Sequence, residues 1–288
     1  MQYDVCIIGT GPAGLSAALN FKLHNKSILW FGSRDLSMKV GKSEKIANYP
    51  GIPFVSGEDL NRAFQRQIEE AELEITDKLV TNISATSKGF MILADNEIFE
   101  SRALLLATGA FTAKPLPGEE EYLGRGVSYC ATCDGFLYKG KTIAVHCGAE
   151  KYEHEVEYLA EIADKVYLST SYKDSRIDLP NVEKLSSQLG SVHGEMKVTG
   201  FETVRGEAHD VDGVFILRTA VAPTMLMNGL EMDGPHIKVD RDMKTNKRGC
   251  WAAGDCTGRP YQIAKAVGEG NIAAHGILEY LAELDKEQ

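Results

Sequence analysis

The sequence predicts an α/β protein of two nucleotide-binding-type domains, and three observations carry that expectation. The chain opens on a strand, a glycine turn and a helix; it repeats that layout after residue 141; and its 288 residues fit about two domains. With 43% apolar and 25% charged residues it has the composition of an ordinary globular chain. No apolar run reaches the length of a membrane span and no basic leader precedes the first strand, so a cytoplasmic protein is expected. The net charge of -10 argues against nucleic acid or an anionic membrane as partner.

Tyr3–Ile8 is a β-rich run, Gly9-Thr10-Gly11-Pro12-Ala13-Gly14 is the turn, and Leu15–Leu19 begins a helix of small residues. Gly9 permits the tight turn, Gly11 lets the backbone approach a pyrophosphate, and Gly14 lets the helix pack on the sheet. This context makes dinucleotide binding the expected role of the turn. The next strand, Ser27–Phe31, runs into Gly32-Ser33-Arg34, so the acid expected to hold a ribose is missing and Asp35 is only a loose candidate. Lys39, Lys42 and Lys45 lie in a loop before the turn Asn48-Tyr49-Pro50-Gly51. Ser56 reads as the N-cap of a helix with Leu60, Phe64, Ile68 and Ala71 at helical spacing. Two or three short strands are expected between Leu79 and Phe99, with turns near Ser87-Lys88-Gly89 and Asp95-Asn96. The apolar run Ala103–Ala107, ending in Thr108-Gly109, fits a buried parallel strand whose C-terminal end meets a ligand.

A linker, Pro115-Leu116-Pro117-Gly118, leads to Cys130-Ala131-Thr132-Cys133-Asp134-Gly135. Two thiols two residues apart can close a small disulfide ring, and an acid directly after the second can move the proton that thiol chemistry requires. Zinc is the rival, but it needs about four ligands, and Cys6, Cys147, Cys250 and Cys256 offer no second pair at that spacing. Two unremarkable loop cysteines are the third reading. Six irregularly placed cysteines do not make a secreted disulfide scaffold, which favours a reducing compartment with one working pair. Thr142–His146 then reads as a strand and Cys147-Gly148-Ala149-Glu150-Lys151-Tyr152 as a second turn, followed by an amphipathic helix through Leu159. Near the end, Gly249–Asp255 puts an acid after a strand, and the stretch from Pro260 to Gly270 opens a final helix.

The Gly9–Gly14 loop, the Cys130–Gly135 motif and Gly254-Asp255, in this order and spacing, resemble the low-molecular-weight thioredoxin reductases. The resemblance implies a flavoprotein of two doubly wound domains, with homodimers the usual assembly. Residues 1–110 and 243–288 would form a discontinuous FAD domain, and residues 111–242 an inserted central domain carrying the cysteine pair. Gly9, Gly11, Pro12, Ala13 and Gly14 would cradle the FAD pyrophosphate, and Asp255 would hold the ribityl or phosphate region. Asn48, Thr108 and Gly109 would also meet the cofactor, as would Gln262, Ile263 and Ala264, although Gln262 and Ile263 depart from the family's Arg-Gln. Cys133 would face the flavin, Cys130 would attack a partner's disulfide, and Asp134 would act as acid or base. The other four cysteines read as small buried hydrophobes.

Family members that use NADPH carry Gly-x-Gly-x-x-Ala in the second turn and a His-Arg-Arg cluster after the next strand. This chain has Cys147, Ala149 and Tyr152, then Thr170-Ser171-Tyr172. Losing two charge-assisted phosphate contacts at about 1.5 to 3 kcal/mol each weakens NADPH by roughly two to four decades. The pattern looks like the ferredoxin-dependent flavin thioredoxin reductases, which lack the pyridine-nucleotide site. From a plant-type ferredoxin near about -400 mV to a thioredoxin near about -270 mV, two electrons fall by roughly 6 kcal/mol. An acidic ferredoxin needs a basic landing site, and three clusters are candidates: Lys39, Lys42 and Lys45; Lys139 and Lys141; and Arg241, Lys244, Lys247 and Arg248. The rival functions are a disulfide reductase fed by NAD(P)H or a second flavin, and a non-enzymatic flavoprotein redox sensor.

Overall fold

The computed structural model describes residues 2–287 apart from Asn96, residues 111–114, Cys130 and residues 218–222, and it also leaves out the side chain of Cys133. The chain divides into two compact units, Met1–Phe111 with Ala222–Gln288, and Thr112–Val221.

The first unit begins with β1 (Gln2–Ile8), α1 (Pro12–Leu23) and β2 (Ile28–Phe31). β1 is buried from Val5 to Ile8 because it lies inside the sheet, parallel to β2 on one side. The lysine loop contains one turn of helix, α2 (Met38–Gly41), which its sequence did not suggest; Ser37 Oγ caps it by accepting from the Val40 amide at 3.3 Å. α3 (Gly57–Glu70) starts where Ser56 indicated, with Ser56 Oγ accepting from the Asp59 amide at 3.0 Å. Its Leu60 and Ile68 are buried, and Ala71 falls just past its end.

β3 (Val80–Thr86), β4 (Gly89–Ala94) and β5 (Glu97–Leu106) form an antiparallel meander. β5 joins two runs that the sequence presents as separate strands. Its first half pairs with β4 and is largely exposed; its last four residues lie parallel to β1 at the centre of the sheet, fully buried. Two environments give one strand two compositions.

The second unit contains β6 (Val127–Ser128), α4 (Ala131–Asp134), a 3-10 turn at Gly135–Tyr138, β7 (Thr142–Cys147), another 3-10 turn at Glu150–Tyr152, α5 (Glu153–Ile162), β8 (Lys165–Thr170) and β9 (Val182–Lys184). An antiparallel sheet of β10 (Leu189–Gly194), β11 (Val198–Thr203) and β12 (Ala208–Asp210) follows, then β13 (Gly213–Leu217). The order β6-β13-β7-β8-β9 is parallel throughout, and Val145, Val166 and Phe215 pack with Val156 and Leu159 of α5 in its core.

The chain re-enters the first unit at Ala222, earlier than the expected 243. The segment in between carries α6 (Pro223–Leu226), packed on β3, and the hairpin of β14 (Met232–Asp233) and β15 (His236–Ile237), with Leu226, Met227, Leu230 and Ile237 buried. β16 (Cys250–Ala252) adds to the first sheet parallel to β5, and α7 (Ile263–Lys286) ends the described chain. α7 lies close against α1: a Cβ on Gly270 would fall 2.2 Å from Ala13 O, and Ser16 Oγ donates to Val267 O at 2.8 Å. No helix of the described residues is long and apolar enough to cross a membrane.

Candidate cofactor site and redox motif

The C-terminal ends of β1, β5 and β16 lie side by side, tied by Ala107 N to Ile8 O (2.8 Å) and Ala253 N to Leu106 O (3.0 Å). They deliver Gly9, Thr108 and Asp255 to one edge of the sheet. Gly9 has φ +116°, and a Cβ there would lie 2.1 Å from Ala107 O. A Cβ on Gly14 would lie 2.0 Å from Gly9 O, so this glycine sets the approach of α1 to the turn. Gly11 differs: a Cβ there meets nothing within 4 Å. Its glycine character is therefore explained by no contact inside the chain. Pro12 starts α1, whose first turn holds neither a carboxylate nor a side-chain cap, so its amides are left for an anion. An open cradle above an uncapped helix start fits a flavin dinucleotide's pyrophosphate.

Asp255 follows Gly254 (φ +91°) in a 3-10 turn, its side chain 15% exposed, with Lys39 Nζ 2.5 Å from Oδ2. The turn is held from below by a pair that sequence reading missed. Lys265 Nζ donates to Gly254 O (2.8 Å), Thr257 Oγ1 (2.9 Å) and Gly258 O (2.8 Å), while Glu269 accepts from Gly254 N (2.9 Å) and Thr257 Oγ1 (2.8 Å). The two side chains are themselves 3.0 Å apart, and their i,i+4 spacing on one helix was the available signal. Asn48 Nδ2 donates to Gln262 Oε1 at 2.6 Å, which joins two expected cofactor residues from opposite ends of the chain. Gln262 precedes α7; Ile263 packs against Val40, Ile46 and Leu60; Ala264 is exposed. Thr108 and Gly109 (φ +75°) follow β5, whereas Asp35 lies exposed in the turn after β2.

In the second unit, Cys130 lies outside the described residues, and Cys133 is placed by its backbone in α4. Asp134 closes that helix, with Oδ2 accepting from Ser128 Oγ of β6 at 2.6 Å, so its carboxylate has a fixed direction beside the motif. Gly135 is packed tightly: a Cβ would lie 3.0 Å from both Tyr158 and Ile162. Phe136 and Leu137, directly after it, are 65% and 52% exposed. The remaining cysteines are buried. Burial pushes the Cys147 thiol up, that of Cys250 to about 12 and that of Cys256 to about 11, and Cys6 rises for the same reason.

The second strand-turn-helix unit keeps the layout of the first but fills it. Tyr152 is buried among the core residues of its unit. Glu153, at the first position of α5, accepts at one oxygen from Tyr172 OH (2.8 Å), Ser175 Oγ (2.7 Å) and the Arg176 amide (3.0 Å). Burial raises its pKa, but these hydrogen bonds outweigh that and hold the carboxyl below its ordinary range. Tyr172 OH also reaches Cys147 Sγ at 3.5 Å, and His146, its pKa lowered by burial, lies between Ser169 and Ser171 at 3.1 and 3.0 Å. Glu150 and Glu155 add negative charge around the same helix start. The start of α5 is therefore acidic, and its Glu153 carboxylate is satisfied from within the chain.

A model of the pyridine nucleotide-disulphide oxidoreductase family matches residues 3–151 and 180–270. Thioredoxin reductase of Listeria monocytogenes is 32% identical over 98% of this chain and 95% of its own length. That of Helicobacter pylori is 33% identical over 96% of this chain and 98% of its own. Among solved structures, a ferredoxin-flavin thioredoxin reductase from Clostridium acetobutylicum is similar at TM-score 0.90 and 42% identity, covering 99% of each chain. A thioredoxin reductase from Gloeobacter violaceus follows at TM-score 0.78 and 31% identity, with 98% and 95% covered. Proteins of this group are thioredoxin reductase-like oxidoreductases whose cofactor is FAD. By family match, by relatives and by fold, the chain belongs to the pyridine nucleotide-disulphide oxidoreductase family, among the homologues of thioredoxin reductase.

Proposed function

We propose that this protein takes electrons from reduced ferredoxin and passes them through FAD and a Cys130–Cys133 disulfide to thioredoxin. The observation that carries the donor assignment is Glu153. A carboxylate with three donors of its own stands at the helix start where a pyridine nucleotide's phosphates need free amides and positive charge. The solved structure from Clostridium acetobutylicum, described as a ferredoxin-flavin enzyme, supports the same donor.

Gly9, Gly11, Pro12, Ala13 and Gly14 hold the FAD pyrophosphate against α1, and Asp255, Thr108 and Gly109 line the sheet edge next to them. Asn48, Gln262, Ile263 and Ala264 bound the flavin end. When bound, FAD can take electrons one at a time and deliver them in pairs. Two reduced ferredoxins are oxidised for each Cys130–Cys133 bond broken, and two protons from solvent complete the dithiol. Cys130 then attacks the thioredoxin disulfide, the mixed disulfide is resolved by Cys133, and reduced thioredoxin leaves. Asp134, oriented by Ser128, moves the thiol protons. The exposed Phe136 and Leu137 offer thioredoxin an apolar contact beside the motif.

Coupled turnover tests this reading. With reduced ferredoxin as sole donor, thioredoxin dithiol should form under anaerobic conditions, and a Cys133→Ser protein, which keeps the attacking Cys130 but lacks the resolving thiol, should instead trap thioredoxin as a mixed disulfide. Turnover that requires NADPH and ignores ferredoxin would refute the donor; no trapping of any dithiol protein would favour a redox sensor.

A further inference from the structure

In a chain with ten excess negative charges, residues 38–54 run the other way, with Lys39, Lys42 and Lys45 against a single acid, Glu44. The fold brings Arg259 to the same place. Lys39 Nζ lies 4.5 Å from the centre of the Tyr261 ring and the Arg259 guanidinium 5.7 Å from it, and His236 Nε2 fixes the Tyr261 hydroxyl at 2.7 Å. All four cations are exposed, and among the described residues Lys42, Lys45 and Arg259 have no ion-pair partner.

Apolar side chains stand exposed among these charges. Phe54 is 67% exposed and Met38 64%, with Lys45 Nζ 4.3 Å from the centre of the Phe54 ring. Phe54 is held at φ +43°, a left-handed conformation that is strained for a bulky side chain. Strain spent on keeping a phenylalanine in water points to an interface anchor. The same stretch carries Asn48, hydrogen-bonded to Gln262, so it borders the flavin end of the cofactor site. The other basic clusters lack this combination. Asp240 and Asp242 flank Arg241, and Arg248 lies 3.8 Å from Glu287. Lys141 is bound to Leu137 O at 2.8 Å, and Lys139 belongs with it to the second unit.

We infer that Lys39, Lys42, Lys45 and Arg259, arranged around Phe54 and Tyr261, form the docking surface for an acidic one-electron carrier protein of the ferredoxin class. The inference rests on the donor reading above and gives it a location. Positive charge steers the carrier, and the exposed Phe54 ring supplies a contact that desolvates as the complex closes. The position next to Asn48 and Gln262 keeps the electron path short.

The test uses the FAD-loaded protein, wild type against Lys42→Glu with Lys45→Glu, two residues outside the cofactor cradle. Wild-type flavin should be reduced by reduced ferredoxin at a rate that falls with added salt. The double variant should be slower by roughly tenfold at low ionic strength and nearly insensitive to salt. Its FAD content, its reduction by dithionite and its reoxidation by thioredoxin should be unchanged, and Arg241→Glu with Lys244→Glu should behave as wild type. Equal rates for wild type and the lysine variant would overturn this surface while leaving ferredoxin as donor. Slower reoxidation by thioredoxin alone, or a change in oligomeric mass alone, would assign the surface to another occupant and overturn the inference. No reduction of wild type by ferredoxin, with dithionite still effective, would overturn the donor and this surface together.

Discussion

The hydroxyl of Tyr172 donates to the carboxylate of Glu153 at 2.8 Å across the start of α5. The same Glu153 oxygen also accepts from Ser175 Oγ and from the Arg176 amide. The bond ties the start of α5 to the segment after β8, and its consequences are open to titration.

Because the pKa of Glu153 is depressed in the folded chain, its contribution to stability is present above the unfolded value of about 4.3 and is lost as pH falls through the folded value. The difference in Tm between wild type and Glu153→Gln should be constant above about pH 6 and shrink on acidification. A difference that grows with acid would contradict the assignment.

Gly11 and Gly14 should separate fold from cofactor. Gly11→Val, with open space around its Cβ, should leave the melting of the apoprotein unchanged while retained FAD falls. Gly14→Ala drives a methyl against Gly9 O and should cost about 1 to 3 kcal/mol in urea melts of the apoprotein.

The Lys265 and Glu269 pair should behave as a unit. Lys265→Met leaves a largely buried carboxylate without its cation and should cost about 2 to 3 kcal/mol, together with weaker FAD retention as the Gly254-Asp255 turn loosens. Adding Glu269→Leu should recover part of the stability but not the FAD affinity.

Thiol accessibility should divide the six cysteines sharply. Cys250 near 12 and Cys256 near 11 carry thiolate fractions below about one in a thousand at neutral pH, and Cys6 and Cys147 are equally buried. After mild reduction, iodoacetamide should label Cys130 and Cys133 only, as read by peptide mass. Rapid labelling of any of the other four in the native protein would contradict the packing described.

Much of the first unit was legible because its constraints are local. Gly9 and Gly14 are required by backbone approach, and Ser56 caps α3 through a bond three residues along, so spacing alone reveals them. The unity of β5 was not legible: its composition changes where its neighbours change, and neighbours are a tertiary fact. The re-entry at Ala222 was hidden for the same reason, since the segment's burial depends on α6 meeting β3. In the second unit, the sequence showed that glycines and arginines were missing. It could not show what replaced them, because Glu153 meets Tyr172 and Ser175 only once β7, α5 and β8 are assembled.

The most direct measurement is the visible absorbance of the bound flavin under anaerobic conditions while NADPH, NADH and reduced ferredoxin are added in turn. Ferredoxin alone should bleach it, and oxidised thioredoxin should restore it. Rapid bleaching by micromolar NADPH would mean that the Glu153 cluster opens to admit a nucleotide, and would contradict the account.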